Sequence, residues 1–134
     1  MQYNLPVVLH TRNATKETIE IIETYAGKNL KGIFHCFGGS VEEAERIIAA
    51  GFYLGIGGVI TYKNAGLAEV LAHIDLKHIV LETDAPYLTP APFRGKRNES
   101  SYLSFIAEKI AQIKNVTVQD VDEVTSANAE KVFG

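Results

Sequence analysis

Three side chains able to hold a divalent cation fall at equivalent places in this sequence. His10 ends the apolar run Val7, Val8, Leu9; His35 ends Ile33, Phe34; and Asp84 follows Ile79, Val80, Leu81. Neutral imidazole and carboxylate suit zinc or manganese, and no thiolate belongs to the set. Each residue alone has an ordinary structural explanation, as a hydrogen-bonded histidine or a turn-forming aspartate. Their common placement at strand ends is what points to a metal. His10 and His35 are separated by about one strand-helix unit, which puts them on adjacent strands within reach of one ion. Glu82 lies two residues before Asp84 and shares its face. Such an inward carboxylate needs a cationic or hydrogen-bonding partner, which the sequence does not identify. His73 and His78 lack such placement and read as surface or helix-end residues.

A second chemical feature is the stretch 91–99, APFRGKRNE. Arg94, Lys96 and Arg97 crowd around Gly95, and such a cluster can clamp a phosphate oxyanion by charge-assisted hydrogen bonds. Arg12, two residues after His10, faces the same side. A metal flanked by cations suits phosphate ester cleavage, because both stabilise the negative charge that grows in the transition state.

These side chains need a scaffold that brings strand ends together. Pro6 opens a strand ending at His10, a position proline tolerates. Ile19, Ile22 and Tyr25 at helical spacing, with Gly27 beyond, predict a helix over 15–26. A strand over 32–37 follows. Ser40 and Glu43 form a capping box that starts a helix running toward Gly51. A strand over 52–56 runs into Gly55, Gly57 and Gly58, read as allowing a turn at a strand end. A short helix over 65–72, a strand over 78–81 broken by Pro86, a polar loop over 89–100, and helices over 101–113 and 118–133 complete the chain. The last is capped by Thr117 with Asp120.

Four short apolar strands alternating with helices predict an α/β fold with a parallel sheet. An open nucleotide-binding sheet would show G-x-G-x-x-G, but Ile60 occupies the last glycine position. In a (β/α)8 barrel, by contrast, chemistry collects at the C-terminal strand ends, where His10, His35 and Asp84 fall.

The 134 residues, 46% hydrophobic and 22% charged, have the balance of an ordinary globular domain. A net charge of -3 argues against electrostatic coating of nucleic acid, without excluding a local basic patch. The single cysteine, Cys36, rules out an internal disulfide framework or a cysteine-rich zinc site and reads as a small buried hydrophobe. No apolar run approaches the length of a membrane span, so no membrane partner is expected and the location expected is cytoplasmic.

The segments 6–14 (PVVLHTRNA), 32–37 (GIFHCF), 82–88 (ETDAPYL), 94–99 (RGKRNE) and 128–133 (NAEKVF) closely resemble, in order, motifs of the TatD-related deoxyribonucleases of the metallo-dependent hydrolase superfamily. The resemblance covers essentially the whole chain. It implies a TIM-type barrel whose divalent-metal centre, with zinc, manganese or magnesium, hydrolyses phosphodiester bonds in DNA. By it, His10, His35 and Asp84 are metal ligands and Asp84 doubles as general base. Arg12, Arg94, Lys96, Arg97 and Asn98 are expected near substrate.

Two departures are minor and one is large. Gly38 stands where serine or threonine is common, and Ser100 replaces a frequent proline. The family's opening aspartate-x-histidine-x-histidine segment and the glutamate of its fourth strand do not precede Pro6. The expectation is one partial domain over 1–134, holding strands five to eight of the barrel, as a truncated gene product, an interior fragment or a half-barrel made on its own. Four strands would leave two open edges and an uncovered apolar inner face, which predicts a dimer, a higher oligomer or association with the missing half.

Overall fold

The computed structural model describes residues 3–134. In chain order the elements are β1 (Val7–His10), α1 (Thr15–Glu23), β2 (Gly32–His35), α2 (Val41–Ala49), β3 (Phe52–Ile56), α3 (Leu67–Ala72), β4 (Ile79–Leu81), α4 (Leu103–Lys114) and α5 (Val118–Phe133). Short 3-10 turns at Gly58–Thr61, Leu76–His78 and Ser100–Tyr102 link them. No described helix is long and apolar enough to cross a membrane.

The four strands form one parallel sheet in the order β1-β2-β3-β4. Each strand joins the sheet beside its predecessor, the sequential winding of a barrel and not the reversed order of a doubly wound sheet. His10 is register partner to His35 on the neighbouring strand.

Side-chain alternation divides the sheet into two faces. Val7, Leu9, Phe34, Phe52, Leu54, Ile56, Ile79 and Leu81 enter the main core with Ile19, Ile22, Ala44, Ile47, Ile106 and Ile110 from the helices. The opposite face carries Val8, Ile33, Tyr53 and Val80, with His10, His35, Gly55 and Glu82 on the same side. That face is less bare than the sequence suggested. Val132 and Ala129 near the end of α5 pack on Ile33, Tyr53 and Val80. Asn128 anchors this packing by donating from its amide to the carbonyls of Leu76 and Ile79 at 2.9 and 2.8 Å. The apolar side chain left open is Val8 on the terminal strand, 57% exposed.

Several boundaries differ from expectation for local reasons. Helix α1 stops at Glu23, where the Thr24 hydroxyl donates to the Ile21 carbonyl and tightens the final turn. Strand β2 ends at His35 because Cys36 takes φ +51°, which takes it out of the extended ladder. Gly66 at φ +68° delays α3 to Leu67, and a 3-10 turn occupies Leu76–His78 before β4. Both capping boxes form, Ser40 with Glu43 and Thr117 with Asp120.

Candidate metal centre at the carboxyl ends of the strands

The parallel sheet carries His10 and His35 to the same edge, where their ring centroids lie 5.6 Å apart. Past β4 the chain brings up two carboxylates, and His35 stands between them. Its Nδ1 is 3.0 Å from Glu82 Oε1 and its Nε2 is 3.4 Å from Asp84 Oδ1. The Glu82 contact is the partner that sequence reading left unnamed. A carboxylate on Nδ1 fixes the proton there, orients the ring and leaves Nε2 for an electrophile.

Glu82 is itself held, since the Cys36 amide donates to Oε1 at 2.6 Å. Burial pushes its carboxyl above the usual carboxylate range, while the His35 imidazole and the Cys36 amide pull it back. Gly55 makes room for it: a Cβ there would collide with the Glu82 carboxylate and press on the Phe34 carbonyl. The conformation of Gly55 is ordinary, so close approach explains this glycine, and the expected turn at a strand end does not. Burial and the nearby Glu82 and Asp84 carboxylates push the Cys36 thiol up, which keeps it protonated.

Asp84 adopts φ +56°, the left-handed region that aspartate enters more readily than most residues. This backbone turn directs its carboxylate toward His35. The segment is closed by the Tyr87 amide, which donates to the Asp84 carbonyl at 2.9 Å.

The donor chemistry fits a divalent cation between His35 and Asp84. Carboxylates face both ring nitrogens, so a proton or a cation must lie between Nε2 and Asp84. Two ligands of one tetrahedral ion stand about 3.3 Å apart when each is about 2.0–2.1 Å from it, close to the observed spacing. His10 is beside this pair and exposed. Among the described residues, however, no three histidine, cysteine, aspartate or glutamate side chains close into a metal cage. The expected cluster is thus a ligand-spaced pair with His10 alongside.

The profile of the family described as TatD related DNase matches residues 1–134. This chain belongs to the TatD-related DNase family. It is 42% identical over 133 residues to the uncharacterized metal-dependent hydrolase YabD of Bacillus subtilis (strain 168), covering 98% of this chain and 52% of that protein. It is 34% identical over 139 residues to the 3'-5' ssDNA/RNA exonuclease TatD of Citrobacter rodentium (strain ICC168), covering 99% of this chain and 53% of that protein. The crystal structure of YJJV, a TatD homolog from Escherichia coli K12, aligns with a TM-score of 0.91 at 26% identity, over 98% of this chain and 51% of that one. The chain spans about half the length of the TatD relatives it matches.

Against this TatD framework the expected substrate residues separate. Arg94 lies with its guanidinium carbon 4.2 Å from the Tyr62 ring centroid, and the Tyr62 hydroxyl donates to the Thr89 carbonyl at 2.9 Å. Lys96 sits 5.8 Å from the Phe93 ring, which stacks on Tyr102 at 4.6 Å. Arg12 and Arg97 are exposed, and among the described residues neither they nor Arg94 and Lys96 enter an ion pair. Asn98 differs from its neighbours. Expected near substrate, it is 2% exposed and its amide is fully engaged with backbone. Its burial was hidden in the sequence by the surrounding charges, and the one available signal was its place at the end of the loop, just before α4.

Proposed function

We propose that this chain supplies strands five to eight, the C-terminal half, of a TatD-type (β/α)8 barrel that hydrolyses phosphodiester bonds in DNA with a divalent metal. The observation that carries this reading is His35 held between Glu82 and Asp84, with His10 beside it, at the carboxyl ends of parallel strands. His10, His35 and Asp84 would hold the metal from this half, with Asp84 also serving as general base toward the attacking water. When bound, zinc, manganese or magnesium supplies Lewis acidity toward water and the phosphoryl oxygen. Glu82 keeps His35 turned so that Nε2 is the coordinating nitrogen.

The exposed cations Arg12, Arg94, Lys96 and Arg97 suit an anionic ester more than an amide or lactone. A relative named as a 3'-5' ssDNA/RNA exonuclease supports the same choice of substrate. Exposed Val8 on the terminal strand β1 offers a surface for the other half of a barrel or a second copy of this chain. The free Cys36 thiol suits the reducing cytoplasm, which belongs to the same proposal.

The test is hydrolysis of a DNA oligonucleotide with added manganese or zinc, by the chain alone and mixed with a chain bearing the first four strands. Activity should fall to background in Asp84→Asn. Equal rates for both proteins overturn the reading, and preferential cleavage of an amide or lactone moves it to another metal-dependent hydrolysis.

A further inference from the structure

Asn98 lies fourteen positions after Asp84 in the chain, yet it is bound to both flanks of that residue. Its Nδ2 donates to the Thr83 carbonyl and to the Tyr87 carbonyl, each at 2.6 Å. Its backbone amide donates to the Pro86 carbonyl at 3.0 Å. Its Oδ1 accepts from the Glu99 amide at 2.9 Å. The orientation of the amide is dictated by these partners, because the flipped group would set its oxygen against two carbonyls. At 2% exposure, with both amide hydrogens and Oδ1 bonded to backbone, Asn98 is turned into the protein and away from solvent.

The residues so bracketed include Asp84, in a left-handed conformation. Such a conformation persists only when its surroundings impose it. The Tyr87 amide closes a turn onto the Asp84 carbonyl, and the Thr83 hydroxyl contact with the Ala85 amide is long at 3.4 Å. The shortest bonds on this segment are the two from Asn98 Nδ2.

We propose that Asn98 is a positioning residue for the Asp84 carboxylate: it fixes the 83–87 turn so that Asp84 Oδ1 meets His35 Nε2 at ligand spacing. This rests on the metal-centre reading above and assigns the loop asparagine to the metal side of the site, not to substrate.

The experiment is a double-mutant cycle read by manganese affinity, with urea denaturation of the same four proteins. Asn98→Ala should weaken manganese binding about 10-fold or more, the range of outer partners at metal sites. In an Asp84→Asn background the same change should leave the residual affinity unaltered, although the loss of stability persists in both backgrounds. A merely structural asparagine would move stability alone, or move affinity equally in both. If Asn98→Ala does not fold, Asn98→Ser, which retains a donor, should give a smaller loss that again vanishes without Asp84. Affinity lost in Asp84→Asn but unchanged by either Asn98 variant overturns the positioning role and leaves the metal reading standing. No manganese binding by the unaltered chain overturns both.

Discussion

The two ends of β4 are tied down by the same device, a buried asparagine whose amide donates to two backbone carbonyls. At the amino end, Asn128 on α5 reaches Leu76 and Ile79; at the carboxyl end, Asn98 reaches Thr83 and Tyr87. Asn128 sits among Ala129 and Val132, which cover Ile33 and Val80, and every neighbouring backbone residue is in ordinary helix, turn or strand geometry. Asn98 instead holds a segment that carries the left-handed Asp84, whose carboxylate faces His35. The same bonds that seal a core at one end hold an unfavourable backbone at the other. In barrels the amino ends of the strands serve stability and the carboxyl ends serve chemistry, and β4 repeats that division within three residues of strand.

The division is broken or sharpened most by Asn128→Ala. It removes the amide bonds to the Ile79 and Leu76 carbonyls, the latter keeping the Ile79 amide as partner, and unseats the helix that covers the inner face. A loss of about 3 kcal/mol in unfolding free energy is expected, from about 1–3 kcal/mol per buried group left unsatisfied. Manganese affinity measured under native conditions should stay within twofold. A large drop in affinity would mean that the two ends are mechanically coupled.

Next in size is the reverse case, Asp84→Asn. Asparagine accepts the left-handed conformation as readily as aspartate, so the backbone should keep its course. Stability should change by less than about 0.5 kcal/mol, as for substitutions away from packed features. Manganese affinity should fall about 100-fold, at or beyond the upper range for outer partners, which corresponds to about 2.7 kcal/mol.

Gly55→Ala separates close packing from turn formation. The added methyl must displace Glu82 and with it the support of His35 Nδ1, so affinity should fall about 10-fold. On a Glu82→Ala background the methyl keeps only its tight contact with the Phe34 carbonyl, and Gly55→Ala should add far less. If glycine were present for conformational freedom, the cost would appear in both backgrounds.

Gly55 also marks where the sequence ceased to be readable. Local features were legible: β3 matches to the residue, β1 ends at His10 as expected although it starts at Val7 and not Pro6, and both capping boxes start their helices where Ser40 and Thr117 stand, because three-residue spacing is a local signal. His10, His35 and Asp84 were legible as strand-end residues for the same reason. The partner of Glu82, the reason for Gly55 and the burial of Asn98 each depend on contacts between separate segments. Periodicity carries no information about these. The end of β2 shows both levels at once, since β propensity favoured extension to Phe37 while the Glu82 carboxylate, 46 residues on, captures the Cys36 amide.

The smallest expected effect tests whether position or bonding decides the division. Ser40 caps α2 shortly after His35, on the side of the candidate site, whereas Thr117 caps α5 and accepts from the Asp120 amide at 3.0 Å, away from it. Each cap satisfies one free helix amide, so Ser40→Ala and Thr117→Ala should each cost about 1 kcal/mol in unfolding free energy. Neither hydroxyl bonds to Glu82, His35 or the 83–87 turn. Both variants should therefore bind manganese as the unaltered chain does. A several-fold loss confined to Ser40→Ala would mean that proximity to the carboxyl ends of the strands matters in itself. Equal and small effects from the two caps would leave the bonds to Glu82 and Asp84 as what distinguishes one end of β4 from the other.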